Sequence, residues 1–167
     1  AIELVRSGVA TVEDVDRAKG FLLEEITYNG PSGAEVSAEI TKPWISAPTA
    51  EDSNREARLL GTASEESRTR LSGGALRTTR TTTTFDPTTG LPTVVDDAGD
   101  LAVSGDELCT RTTYVPNQSL NIVGVPSREE TVSVGCGSTP ERPKHVVSDT
   151  RTYYDGATSL TTAPTRG

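Results

Sequence analysis

The sequence has few of the residues that build a thick hydrophobic core. Its 167 residues contain no Met, one Trp, two Phe and four Tyr, and hydrophobic residues make up 33% of the chain. That length suffices for one ordinary domain. With so few large apolar side chains, we expect a thin core, as in repeat proteins whose units bury their faces on their neighbours. The lack of Met also leads us to expect an excised or processed fragment.

Long apolar runs and clusters of positive charge are missing as well. No apolar stretch approaches the roughly 20 residues that a membrane-spanning helix needs, so we expect no membrane span. The formal net charge is −8, and the basic residues are scattered along the chain. Because nucleic-acid binding requires clustered Lys and Arg to neutralise phosphates, we expect no nucleic acid as a partner.

Thr and Val are abundant instead, in short runs separated by turn signals. This pattern predicts an all-β, antiparallel fold with at most one or two short helices. A hairpin is expected from residues 21–28 and 34–40, joined by the Gly-containing turn 29–33. Further strands are expected at residues 77–85, 91–95, 109–115, 130–136 and 146–154, with turns at residues 72–74, 86–90 and 96–100.

Two segments leave the interpretation open. Residues 1–20 form a connector with a short strand or helix, in which Thr11 and Asp14 resemble a helix cap and residues 11–18 form either one or two helical turns or an irregular link. Residues 47–74 are a less ordered or divergent insert within the β-repeat region 21–167. Their charged middle, residues 51–70, forms either a solvated helix or a long strand pair with both faces wet.

A Thr-rich strand that ends in an aromatic residue and a turn occurs four times. The aromatic residues are Tyr28, Phe85, Tyr114 and Tyr154. Each unit supplies one strand, one large side chain for the interior, and a turn that reverses the chain. We therefore predict a degenerate repeat with these four residues as its aromatic anchors.

The repeated units resemble the Rhs/YD-repeat family, in the divergent form found in large secreted actinobacterial proteins. Residues 84–99 resemble the family's aromatic-Asp, Gly-x-x-Thr and Asp-x-x-Gly pattern, and Tyr154 with Asp155 matches the Tyr-Asp pair of the family's name. Two anchors, Tyr28 and Tyr114, lack the following Asp. The resemblance implies a long antiparallel β-strip wound into a hollow shell. Such a shell either encloses a C-terminal toxin or serves as a surface structure.

The two cysteines, Cys109 and Cys136, lie beside Thr-rich, strand-like runs. In a cytosolic chain they would be two buried thiols. We predict a disulfide instead, with Cys109 opening one strand and Cys136 closing its antiparallel neighbour. Closing that loop would stabilise the fold by roughly 3–4 kcal/mol in the chain-entropy model. A disulfide would indicate an oxidising, extracellular compartment.

Few residues are candidates for chemistry. His145 is the only His and follows the polar, Pro-containing residues 140–144, which is typical of a solvated loop side chain rather than a catalytic base. Asp96, Asp97 and Asp100 are weak Ca²⁺ candidates, because hard oxygen ligands at close spacing bind that ion. The strand arginines are expected to pair with Asp or Glu across strands; they are Arg77, Arg80, Arg111 and Arg151.

These observations leave two classes of function. The first is a non-catalytic structural segment of an extracellular Rhs/YD-repeat shell or filament, with no cofactor. Its partners would be neighbouring repeats of the same parent chain or other copies of itself. The second is an extracellular binding or adhesion module with an exposed sheet face, with or without stabilisation by Ca²⁺. The scarcity of aromatic residues favours the first class.

Overall fold

The computed structural model describes residues 2–6 and 9–166, with side chains described from Val15 to Arg166. It consists of β-strands and, in this part of the chain, two single-turn 3₁₀ helices, which confirms the predicted all-β, antiparallel class. The helical turns are Asp16–Ala18 and Gln118–Leu120. The strands are β1 (Ile2–Arg6), β2 (Val9–Asp14), β3 (Glu24–Tyr28), β4 (Glu35–Ile45), β5 (Ala50–Asp52), β6 (Arg55–Ala57), β7 (Leu60–Arg70), β8 (Leu76–Phe85), β9 (Pro92–Asp100), β10 (Leu108–Tyr114), β11 (Pro126–Val132) and β12 (Val146–Arg151).

The chain divides into two compact units, of which the first comprises residues 1–82 and 99–104. Its main sheet has the order β3-β4-β7-β8, and β1–β2 and β5–β6 form separate hairpins. The predicted hairpin 21–40 is β3–β4, with Ile26 opposite Ala38. Gly30, in the connecting turn, adopts a φ of +76°, which Gly takes without steric strain.

The core of the first unit is a narrow strip. Among its residues with described side chains, Ala38 and Ile40 on β4 are the buried apolar ones, and the buried carboxylate of Glu66 lies opposite Ile40 on β7. Arg80 on β8 pairs with Glu66 and donates to its Oε2 at 2.8 Å. The strip therefore combines a few apolar groups with a cross-strand ion pair.

The second unit comprises residues 83–98 and 105–167, and its antiparallel strands follow the order β9-β10-β11-β12. Cys109 on β10 lies opposite Val132 on β11, and both are buried. Val115 and Pro164 are also buried, as are the polar residues Ser127 and Glu130. Polar groups are thus part of this core, and each must find a hydrogen-bond partner.

Two segments that could have been helical are largely strands, and within residues 11–18 the single turn Asp16–Ala18 is helical. Residues 9–14, where Thr11 was the candidate helix cap, form β2, because Val12 and its neighbours pair with β1. A helix over 51–70 is likewise wrong, since this stretch contains β5, β6 and β7. β7 carries polar side chains on both faces, so its sequence shows no alternation of apolar and polar residues.

Three predicted boundaries need correction. Residues 96–100 are not a turn but the second half of β9, where Asp96 and Asp97 lie opposite Cys109 and Leu108 of β10. Strand β11 ends at Val132, so Cys136 lies in the following turn and does not close the strand. Strand β12 ends at Arg151, three residues before Tyr154. The turn at residues 72–74 lies where it was predicted.

Candidate functional site

Two tyrosines tie neighbouring strands of the second unit together in the same way. Tyr114, the last residue of β10, donates its hydroxyl proton to the carbonyl oxygen of Pro92 at 2.9 Å. Tyr154, just beyond β12, donates to the carbonyl oxygen of Pro126, also at 2.9 Å. Pro92 and Pro126 open β9 and β11. Each tyrosine therefore fastens the end of one strand to the start of its antiparallel neighbour.

The connections β8–β9 and β10–β11 share a set of hydrogen bonds, and we call each such connection a joint. The backbone N–H of the residue after the aromatic anchor donates to the carbonyl oxygen of the apolar residue before the proline. These bonds join Asp86 to Leu91 at 2.8 Å and Val115 to Val125 at 3.0 Å. The hydroxyl after the proline binds the preceding strand. Thr93 donates to Thr84 O at 3.1 Å, and Ser127 donates to Thr113 O at 3.3 Å.

A sequence motif accompanies these bonds and was not singled out above. Both joints end in Gly, an apolar residue, Pro, and Thr or Ser, at residues 90–93 and 124–127. The proline fits because the first residue of a strand can lack an N–H donor. An apolar-Pro-Thr sequence recurs at residues 163–165, where Pro164 is buried and its carbonyl accepts a hydrogen bond from Asn117 Nδ2 at 2.8 Å. Comparing the turns with one another would have revealed the motif.

The Asp of each aromatic-Asp pair accepts both the backbone N–H and the hydroxyl of one Thr, three residues on in the first pair and ten residues on in the second. Asp86 accepts hydrogen bonds from the backbone N–H groups of Thr88 and Thr89 and from the Thr89 hydroxyl. Asp155 accepts from the backbone N–H and the hydroxyl of Thr165. Chiefly because of the backbone bonds from Thr89 and Thr165, the pKa of each carboxyl lies below its usual value.

The aromatic anchors differ in burial. Phe85, Tyr114 and Tyr154 are half-buried, whereas 55% of Tyr28 is exposed, so the expectation of an interior side chain is wrong for Tyr28. Beside Tyr114 lies an open groove of about 300 Å³, lined by apolar groups of Leu91, Pro116 and Val123. Burial, and secondarily the charge of Glu129, raise the pKa of Tyr114.

The predicted disulfide is present: Cys109 and Cys136 are bonded at 2.04 Å. It anchors the segment 133–145, which we call the disulfide loop, to β10. Cys136 N–H also donates to Asp96 Oδ1 at 2.8 Å. Arg111 donates to Cys109 Sγ at 2.7 Å and to the Cys136 carbonyl at 2.8 Å. Charged groups therefore flank the bond on both β9 and β10.

The disulfide loop is held at a second point by Glu130, a buried carboxylate on β11. Arg142 donates to both of its oxygens, at 2.6 Å to Oε2, and Arg128 donates to Oε1 at 2.8 Å. Arg128 also binds Asp149 on β12. These bonds, that from Arg142 first, hold the pKa of Glu130 below its ordinary value. Sequence reasoning missed this network because the fold of the disulfide loop, rather than a strand register, brings Arg142 to Glu130.

The predicted strand arginines follow two patterns. Arg80 pairs with Glu66 across strands, and Arg77 lies 3.3 Å from Asp100. Arg151 instead binds Asp149 two residues earlier on its own strand, and Arg111 binds the disulfide region. Cross-strand pairing therefore holds for Arg80 and Arg77 and not for the other two.

The weak Ca²⁺ candidates do not form a metal site. Asp96 and Asp97 are consecutive in β9, so their side chains project from opposite faces of the sheet. Asp96 is occupied by Cys136 N–H, and Asp100 accepts from the backbone N–H of Ala102 at 3.0 Å. Across the described part of the chain, no three His, Cys, Asp or Glu side chains are grouped to hold a metal ion.

His145 is part of the structure of the disulfide loop. Its Nδ1 accepts the backbone N–H of Glu141 at 3.0 Å, and its carbonyl oxygen accepts the N–H of Ser133 at 2.8 Å. These bonds close the loop at its base.

No protein-family model, curated protein or solved structure matches this chain. None of the described helices has the length and apolar character to cross a membrane.

Proposed function

We propose that this chain is a non-catalytic structural segment of a large extracellular Rhs/YD-repeat shell or filament. The observation that carries the proposal is the joint, which recurs with the same backbone and hydroxyl hydrogen bonds at β8–β9 and β10–β11. A repeated joint lets a chain add strands to a sheet without enlarging a central core. That is the property required of a strip wound into a wall.

The second joint also contains buried groups. Val115 and Ser127 at the second joint are 7% and 2% exposed, which places two of the few buried residues of this unit at a connection rather than in mid-sheet. The second joint is therefore a small packed unit of its own. A sheet built from such units depends on neighbours more than on one central core.

The outermost strand of the second unit is suited to pairing with a neighbour. In the described residues β12 is paired with β11 on one side only, and five of its six residues are exposed. Unpaired N–H and C=O groups along such an edge favour addition of another strand. The partners we propose are neighbouring repeats of a parent chain or other copies of this one.

The extracellular part of the proposal is supported by the disulfide. Disulfides persist in oxidising compartments and are reduced in the cytosol. The bond joins residues 27 positions apart and anchors a loop that carries part of the charge network. Such a bond is compatible with a secreted or cell-surface protein.

A charged residue on the edge strand tests the proposal. Val147, on β12, is 59% exposed. Val147→Lys would place an ammonium beside any strand that pairs with this edge, and Lys on an edge strand is a device that prevents such pairing. We expect the variant to self-associate at least roughly tenfold more weakly than the parent chain in sedimentation velocity, corresponding to about 1.4 kcal/mol or more.

The matched control is Val103→Lys, because Val103 is 55% exposed but lies in the loop after β9. It adds the same charge away from a strand edge and should leave association unchanged. Equal weakening by both variants would indicate a general charge effect and would contradict edge pairing. No weakening by Val147→Lys would contradict it as well.

The groove beside Tyr114 favours a second candidate, an extracellular binding module. It offers an aromatic ring, apolar groups and the Asp86 carboxylate in one open cleft. A monomer that retains a compact fold would favour this function over the structural one.

A further inference from the structure

We propose that Cys109–Cys136 is a reactive disulfide that thiols open in one direction, by attack on Cys136 with Cys109 as the leaving group. The reaction partner is a thiolate donor. The inference rests on the different surroundings of the two sulfur atoms and is independent of the proposed shell function. It makes Cys136 a site of modification by mixed-disulfide formation.

Access distinguishes the two cysteines. Cys109 is 0% exposed, inside β10 and opposite the buried Val132. Cys136 lies in a turn of the disulfide loop and is partly exposed. An incoming thiolate must approach a sulfur atom along the S–S axis, from the side opposite its partner. Of the two cysteines, Cys136 is therefore the one that solvent reaches.

The charges around the two cysteines also favour attack on Cys136 with Cys109 as the leaving group. Arg111 Nη1 donates to Cys109 Sγ at 2.7 Å, so a thiolate formed on Cys109 would be bound by a guanidinium. A leaving thiol with a lowered pKa departs faster. The contact thus stabilises the negative charge at the position where it develops when Cys109 leaves.

The neighbouring acidic groups are already engaged. Glu130, which lies opposite Arg111 in the strand register, is bound by Arg142 and Arg128. Asp96, opposite Cys109, accepts the N–H of Cys136. Arg111 therefore directs its guanidinium to the sulfur and to the Cys136 carbonyl rather than to a carboxylate.

Reduction of the protein disulfide consumes two thiols of the reagent. The first thiolate forms a bond to Cys136 Sγ, the Cys109–Cys136 bond breaks, and its electron pair leaves on Cys109 Sγ. A second thiolate then attacks the reagent's sulfur in the mixed disulfide and releases the Cys136 thiolate. The two reagent thiols are oxidised to their disulfide, and the protein disulfide is reduced to two thiols.

The test is to treat the full chain with 2-mercaptoethanol under native conditions. Early time points are quenched with acid, free thiols are alkylated with N-ethylmaleimide, and the peptides are mapped by mass spectrometry. The expected product carries the mercaptoethanol adduct on Cys136 and the alkyl group on Cys109. An adduct predominantly on Cys109, or cleavage only as fast as the whole chain unfolds, would overturn the proposal.

Variants of Arg111 separate the electrostatic role from a structural one. Arg111→Gln should slow cleavage by roughly threefold to tenfold, whereas Arg111→Lys should retain most of the rate. Loss of a merely structural contact would loosen the loop and accelerate cleavage, so a faster Arg111→Gln reaction contradicts the proposal. Arg151→Gln, which removes an arginine bound to Asp149 on β12, is the control and should react like the parent chain. If Arg111→Gln does not fold, the site of the adduct in the parent chain still decides the direction.

Discussion

Glu130 illustrates how single polar residues stabilise a sheet with little apolar material. It is buried, and its oxygens are bound by Arg142 from the disulfide loop and Arg128 from its own strand. Asp149 receives further bonds from Arg128 and Arg151, which hold its pKa far below the usual range. A buried charge costs free energy unless it is paired, so the network is a condition for this packing.

Removing the charge of Glu130 should weaken the second unit. Glu130→Gln removes the carboxylate that Arg142 and Arg128 share, although Arg128 keeps Asp149, and we expect a loss of roughly 1.5–3 kcal/mol at pH 7, measured by urea denaturation. Glu129→Gln is the control, because Glu129 is the exposed neighbour on the opposite face of β11. Its effect should stay within about 0.5 kcal/mol. Equal effects would show that the Glu130 network contributes little to stability.

The same network predicts a direction for acid sensitivity. The pKa values of Glu130, Asp149, Asp86 and Asp155 are lowered in the folded chain. Their stabilisation is therefore complete above the unfolded values near 4 and is lost as the pH falls through the lower folded values. We expect a constant melting temperature from about pH 5.5 to 7, a decrease below about pH 4, and a shallower decrease in Glu130→Gln. A rise in stability on acidification would contradict this account.

At the scale of secondary-structure elements, the joint explains how successive hairpins can be connected by local hydrogen bonds with only a small core. Within a joint, the N–H after the aromatic anchor and the hydroxyl after the proline each bond a carbonyl of the facing segment, and the tyrosine of the next unit bonds the proline carbonyl. Tyr114 and Tyr154 make equivalent bonds although their loops differ in length and sequence. A degenerate repeat can thus preserve its geometry while most of its sequence varies.

The hydrogen bonds of the Tyr114 and Tyr154 hydroxyls should contribute similar free energies to folding. Tyr114→Phe and Tyr154→Phe each remove one hydroxyl that donates to a proline carbonyl, and each should cost about 0.5–1.5 kcal/mol in urea denaturation. The control is Tyr153→Phe, since 48% of Tyr153 is exposed; its effect should be below about 0.5 kcal/mol. A large loss at one anchor with none at the other would mean that the two joints are not energetically alike.

At the scale of the whole chain, the all-β fold could be predicted from runs of β-branched residues and from turn signals. The hairpin β3–β4 and the strands β8 and β10 are examples, because Thr and Val in them leave little preference for helix. The segment 51–70 could not be assigned, since β7 has polar side chains on both faces. Without alternation of apolar and polar residues, the sequence has no hydrophobic periodicity from which a strand could be predicted.

The errors have local physical causes. The Asp-rich stretch 96–100 resembles a turn, but the Asp96 carboxylate is used by Cys136 N–H and the backbone pairs with β10. The disulfide pairing was predicted correctly, whereas the placement of Cys136 at a strand end was not. The Glu130 network could not be predicted, because the loop geometry that brings Arg142 to it is tertiary.

The most direct test of the structural proposal is the association state of the isolated, oxidised chain. Sedimentation velocity over a range of concentrations, combined with thermal melting, measures it. The account predicts association that increases with concentration and a melting temperature that depends on concentration, because the exposed edges gain stability from partners. A compact monomer at all concentrations, with a sharp melt above about 60 °C, would contradict it and would indicate a self-sufficient domain.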